Sequence, residues 1–230
     1  MRQLVGAFAV AAACTLVAGC GAGSKQAAKT STTTTTTTTK VAPPVADRAL
    51  KGYLLTPEQI NPIMGAADMA ITRRHDAMSD DSATMQPKEC LAVDGAAQAQ
   101  VYAGSGYIAV RDQTLQEGDN FAHFVEQAVV LFPSAKQAAA FFDASAKKWP
   151  ACERYTHTQS GSEWTTEPVS NADGVLSTIA TQENAKPPSW ACGRALAARN
   201  NVIVDVNTCS ADPGDSAVTI AKQIAAKIPA

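Results

Sequence analysis

Histidine is scarce in this chain: His75, His123 and His157 are the three among 230 residues. None stands in an H-x-H or H-E-x-x-H arrangement, so the pattern of a metal hydrolase is missing. No two cysteines are spaced C-x-x-C, which removes zinc-ribbon and thioredoxin-type readings. No serine occupies a G-x-S-x-G elbow; Gly104-Ser105-Gly106 lacks the spacing and precedes a strand pattern. An excess of basic charge is missing too. The formal net charge is −2, and polyanion binding relies on a basic footprint, so nucleic acid is not an expected partner. Beyond the N-terminal segment no run is long and apolar enough to span a bilayer, which takes about 20 residues. Asp80-Asp81 lacks the regular spacing and glycine of a calcium loop and reads as a solvated turn. Gly21-Ala22-Gly23-Ser24-Lys25 has the look of a phosphate loop but follows no strand. No metal or cofactor is expected.

What is present begins with residues 1–19. Arg2 supplies one positive charge, and an apolar run follows from Leu4 to Ala18, the layout of a bacterial export signal. Leu16-Val17-Ala18-Gly19-Cys20 places an aliphatic residue and two small ones before cysteine, as a lipoprotein signal peptidase requires. Cys20 is therefore the expected lipidation site and mature N-terminus, carrying diacylglyceryl and amide-linked (palmitate-type) chains. Several acyl chains suffice for stable membrane attachment where one is marginal. Cys14 is the poorer match, with Ala11 at its −3 position. Residues 20–47, with the run Thr32 to Thr39 and then Val41-Ala42-Pro43-Pro44, read as a disordered tether, also suited to O-glycosylation. A flexible coil of about 28 residues spans roughly 30 Å.

Cys90, Cys152, Cys192 and Cys209 remain, an even number in an exported chain, and so argue for disulfides. Four cysteines allow three pairings, and local geometry selects among them. Trp190 to Ser210 reads as two strands around Asn200-Asn201, a pair tolerant of the positive φ of a type I′ turn. With those two residues as the loop, Cys192 faces Cys209 in a non-hydrogen-bonded pair, where Cα atoms lie about 4.5 Å apart. The same register puts Val202, Val204 and Val206 on one face opposite Ala197 and Ala195, and a one-residue slip breaks both relations. Elimination then pairs Cys90 with Cys152.

From residue 48 to 230 the sequence reads as one domain. Thr56 caps a short helix with Pro57 in its first position. Asp68 to His75 is an early strand, and alanine-rich Glu89 to Tyr102 reads as a helix. Tyr107 to Thr114 and Phe121 to Phe132 read as strands around Glu117-Gly118-Asp119-Asn120, with His123 as a packed strand residue. The clearest helix is Ala135 to Trp149, with a capping box from Ser134 and Gln137 and a stripe of Ala138, Phe141, Phe142, Ser145 and Trp149. Three or four strands follow up to Glu183. Pro213-Gly214-Asp215 then introduces a last helix with Val218, Ala221, Ile224, Ala225 and Ile228 on one side. Many hairpins and few helical connections imply an α+β fold: an antiparallel sheet packed with helices, stapled by two disulfides, in a single domain after the tether.

Several of these pieces have a familiar combination. Leu54-Leu55-Thr56-Pro57-Glu58-Gln59-Ile60-Asn61, Pro87-Lys88-Glu89-Cys90, Val101-Tyr102-Ala103, Lys147-Lys148-Trp149-Pro150-Ala151-Cys152, Trp190-Ala191-Cys192 and Asn207-Thr208-Cys209 together resemble the PknH-type extracellular sensor domain. That domain forms the outer end of a mycobacterial receptor Ser/Thr kinase and recurs in stand-alone mycobacterial lipoproteins. The likeness covers about residues 50–230. It implies disulfides first-to-second and third-to-fourth, as the hairpin register does, and a solvent-filled cleft for an unidentified ligand. No kinase domain accompanies it in this sequence.

The function expected is thus that of a cell-envelope lipoprotein whose extracytoplasmic domain binds a ligand or partner without catalysis. The ligand class is a small molecule, lipid or glycan, or else an envelope protein, and the ligand-binding residues are not legible. Arg73-Arg74-His75 is a short basic cluster suited to an anionic headgroup or glycan, or simply an exposed strand end. Trp164, Tyr107 and Tyr155 are candidate cleft-lining aromatics, with core packing as the plainer account. The alternatives are an envelope hydrolase or transferase with a dispersed site, and a structural or adhesion lipoprotein.

Overall fold

The computed structural model describes residues 42–118, 122–186 and 188–230; Cys20, the export signal and most of the tether lie outside them. Ten strands form one antiparallel sheet: β1 (Ala70–His75), β2 (Met85–Gln86), β3 (Ala109–Gln116), β4 (Phe124–Leu131), β5 (Arg154–His157), β6 (Ser162–Thr166), β7 (Ser170–Ala172), β8 (Val175–Gln182), β9 (Ala191–Arg199) and β10 (Val202–Ser210). Their order is β1-β3-β4-β10-β9-β8-β6-β5-β2, with β7 also pairing β8. Among the described residues five α-helices complete the fold, α1 (Pro57–Met64), α2 (Leu91–Asp94), α3 (Ala99–Tyr102), α4 (Ala135–Lys148) and α5 (Ser216–Lys227), beside three short 3-10 turns.

Period-two alternation in the strands sends their side chains to two cores. On one face Leu115, Val125, Val129, Val202, Val204 and Val206 pack against Ile60 of α1 and Ile220 and Ile224 of α5. On the other, Val110, Ala128, Val130, Leu196 and Ile203 pack against Leu91, Tyr102, Ala138 and Trp149. The sheet is therefore the middle of three layers.

The β9–β10 hairpin has the register read from the sequence: Val202 faces Arg199, Val204 faces Ala197, Val206 faces Ala195 and Cys209 faces Cys192. The disulfides are Cys192–Cys209, with Cα atoms 4.1 Å apart, and Cys90–Cys152. Only Asn200 of the turn takes a positive φ, 52°. Asn201 is instead buried, its carboxamide accepting from Val45 N and donating to Val45 O and Phe132 O. Residues 42–47, assigned to the tether by their composition, consequently pack on the domain, and Val45 joins the core.

Other expectations are corrected. The helix expected over Glu89–Tyr102 is broken into a 3-10 turn (Lys88–Cys90), α2 and α3, with extended chain between the last two. There Ala97 adopts φ 45° so that its N–H can donate to buried Asp205 at 3.0 Å, a tertiary bond that overrides alanine's helix propensity. His123 precedes β4 rather than lying in it. The Ser134–Gln137 capping box is half formed: Ser134 Oγ accepts from Gln137 N, but Oγ donates to Gln137 Oε1, which is not turned back to the Ser134 N–H. The stripe of α5 keeps Ala221, Ile224 and Ile228 buried as expected, but Ala217 and Ile220 join it inside while Val218 and Ala225 stand at its margin.

Candidate functional site

A groove of about 840 Å³ opens where the end of edge strand β1 meets β3 and the segment leading into α1. Its wall on that side is the Lys51–Glu58 segment, which the sheet holds through two buried glutamines. Gln113 Nε2 and Gln127 Nε2 donate to Leu55 O at 2.8 and 2.9 Å, and Leu55 N donates to Gln127 Oε1 at 2.9 Å. Thr56 then starts α1 with a capping box in which Thr56 N donates to Gln59 Oε1. Sequence reasoning did not single out these glutamines; Gln127 offered a signal, an amide between Val125 and Val129 on one strand face, whereas Gln113 lies between Arg111 and Leu115 and offered none.

The groove combines an apolar strip, Leu54, Leu55, Pro57 and Ile71, with charged and polar groups of both kinds. Lys51, Arg74 and Arg111 supply donors and Glu58 and Asp76 supply acceptors, while His75 and Asp112 border the groove from strand positions whose side chains turn to the other face. Arg111 is occupied by Asp47 at 2.8 Å and by its own strand carbonyl at Val110. Lys51 and Arg74 have no ion-pair partner among the described residues. A hydrogen bond from the Thr56 hydroxyl holds the Glu58 carboxyl below its ordinary range.

On the opposite face, beneath this end of the sheet, runs a buried polar row. Asp112, Glu126, Asp205, Asn207 and Arg194 lie on neighbouring strands and are all nearly inaccessible. Arg194 Nη1 meets Asp205 Oδ1 at 2.8 Å, its guanidinium stacks 5.1 Å from the Trp149 ring centroid, and Nη2 donates to Ala92 O. Burial pushes Asp112 up to about 6 and Glu126 up to about 9, the Asp112 charge adding to the second shift.

The residues singled out from the sequence separate into two groups. Arg74 of the basic cluster lines the groove and His75 borders it. The aromatics do not: Tyr155 and Trp164 stack in the core, 5.9 Å apart and 4° from parallel, and Tyr107 packs edge-on against Tyr102. The other two histidines each meet a carboxylate, His123 with Glu117 at 2.8 Å and His157 with Asp94 at 2.7 Å. Both lie outside the groove, and among the described residues neither ring is hydrogen-bonded to a hydroxyl or thiol. Asp80 and Asp81 are tied to Gln100 and Gln98, and among the described residues no three His, Cys, Asp or Glu side chains converge as metal ligands. Among the described residues no helix is long and apolar enough to cross a membrane.

Comparison with known proteins agrees with this geometry. The PknH-like extracellular domain family matches residues 45–227. The serine/threonine-protein kinases PknH of Mycobacterium bovis and Mycobacterium tuberculosis are each 38% identical over 190 residues, 80% of this chain but 31% and 29% of theirs. The chain thus spans about a third of the length of these curated relatives, and the part it shares is extracellular. The crystal structure of the extracellular domain of PknH from Mycobacterium tuberculosis superposes with a TM-score of 0.75 at 36% identity, covering 80% of this chain and 97% of that one. By sequence and by fold, the chain belongs to the PknH-like extracellular domain family.

Proposed function

We propose that the protein is a cell-envelope lipoprotein, anchored through Cys20, whose sensor-like extracellular domain binds a ligand in the groove between β1, β3 and the Lys51–Glu58 segment without transforming it. The groove itself carries this reading. Its volume lies within the range of about 300–1,000 Å³ typical of small-molecule sites, and it joins an apolar strip to a few unpaired cations. Such a surface suits an amphiphilic or glycosylated envelope component. The Cys20 motif supports the anchor, and two disulfides suit an oxidising compartment.

Native mass spectrometry of the protein incubated with envelope lipids and glycans tests the binding. A retained adduct that weakens on Lys51→Ala/Arg74→Ala substitution is expected; turnover of any panel member, or an adduct indifferent to both substitutions, overturns the reading. The anchor is tested separately. A fatty-acid analogue should label the wild type and spare Cys20→Ala, and equal labelling of the two refutes attachment at that residue.

A further inference from the structure

Three carboxyl groups lie together on the inner face of β3, β4 and β10, and one buried guanidinium is near them. That guanidinium is already engaged. Arg194 contacts Asp205 Oδ1 and donates to Val206 O and Ala92 O. Asp205 Oδ2 also accepts from Tyr102 OH at 2.9 Å and from Ala97 N. Asp112 and Glu126 receive nothing comparable. They are 3% and 7% exposed and sit diagonally on paired strands, on one face of the sheet. Two carboxyl groups buried side by side without a cation of their own favour holding one proton between them. Among the described residues Asp112 Oδ1 and the adjacent Thr114 Oγ1 have no hydrogen-bond partner, whereas Asp205 Oδ1, also without one, has the Arg194 charge at 2.8 Å.

From the outer side the pair is faced by β1. His75 pairs with Asp112 and Arg73 with Thr114, so both side chains share the sheet face of the carboxyls. Both are exposed, and neither has an ion-pair partner among the described residues. The charged groups around the pair are therefore Arg73 and His75 on β1, Asp205 on β10 and Arg194 on β9, with the Tyr102 hydroxyl of α3 behind Asp205.

We propose that Asp112 and Glu126 form a proton-operated latch between β1 and the rest of the sheet. While one proton is shared between them, Arg73 on β1 stays in solvent. When that proton leaves to water, two buried carboxylates stand side by side, the Arg73 guanidinium is the neighbouring cation left uncommitted among the described residues, and it is drawn inward. Since Arg74, the next residue of the strand, lines the groove from the other face, its wall moves with β1. As regulation of the groove this rests on the binding function assigned above; the latch itself is read without any ligand. The direction follows from linkage. Glu126 is raised from 4.5 to about 9 in the folded state, so the native protein holds a proton that the unfolded chain has lost, and stability falls as pH rises across that interval.

Carbon-13 and nitrogen-15 NMR of the ligand-free protein tests this. The Glu126 carboxyl carbon should titrate several pH units above an ordinary glutamate, and the Ile71–His75 amide resonances should move with the same midpoint. In Glu126→Gln those amide movements should vanish. Arg73→Ala, at an exposed position, should keep the carboxyl transition and shift its midpoint upward. Ionisation of Glu126 in the ordinary carboxylate range, or β1 amides that stay fixed while it titrates, overturns the latch. A failure of ligand binding with the titration intact would count against the groove alone.

Discussion

The two faces of the sheet are equally buried and chemically unlike. Under α1 and α5 the central strands present mostly valine and alanine, their buried polar residues, Gln113, Gln127 and Thr208, are uncharged, and the layer closes as a largely apolar core. Under α2, α3 and α4 the same strands interrupt their aliphatic residues with Asp112, Glu126, Arg194, Asp205 and Asn207. Apolar burial is non-directional and tolerates small adjustments, whereas buried charges need their partners in place. The first face therefore sustains the fold in a forgiving way. The second constrains it in an unforgiving one, and it is the face to which Asp112 and His75, at the border of the groove, turn.

Substitutions of similar size on each face turn this contrast into a measurement. Arg194→Met keeps much of the side-chain volume but leaves Asp205 buried without its cation, and should cost about 3–5 kcal/mol. Ile220→Val, fully buried on α5, should cost about 1 kcal/mol. Replacing both partners, Arg194→Met with Asp205→Asn, should recover much of the first loss, because no orphaned charge remains and the amide oxygen still accepts from Tyr102 OH and Ala97 N. Urea unfolding at neutral pH reads all three. Equal losses for Arg194→Met and Ile220→Val would erase the distinction between the faces.

The sequence discloses the first face far better than the second. Strand β10 alternates Val202, Val204 and Val206 around a two-residue turn, so its register, its pairing with Ala195 and Ala197 and the Cys192–Cys209 bridge all follow from local pattern. Nothing local marks Arg111-Asp112-Gln113-Thr114 as buried, since polar residues occupy both alternations. Asp112 and Gln113 become interpretable only once β3 has two neighbours and the Lys51–Glu58 segment lies over one face. The broken helix after Cys90 has the same origin, because Asp205, which captures Ala97 N, is 108 residues away. The groove cations Lys51, Arg74 and Arg111 likewise come from three separate segments; only Arg74 stood in a recognisable cluster.

A smaller effect sharpens the comparison at the rim of the polar face. His157 on β5 bonds Asp94 at the end of α2 and packs beside Tyr155 and Trp164, half-buried rather than sealed. The hydrogen bond to Asp94 raises the His157 pKa above 6.5, against an opposing effect of burial. A histidine raised on folding contributes stability that is complete below the unfolded value of about 6.5 and is lost as pH climbs through the folded one. With the pair partly solvated, that contribution should be about 0.5 kcal/mol. Thermal unfolding of wild type and Asp94→Asn at pH 5.5 and 8 reads it: the gap between the two proteins should be wider at pH 5.5. A gap that is constant, or wider at pH 8, would mean that this ion pair contributes nothing through its proton. The pH dependence of the polar face would then belong to Asp112 and Glu126, whose buried carboxyls have no solvent to share their charge.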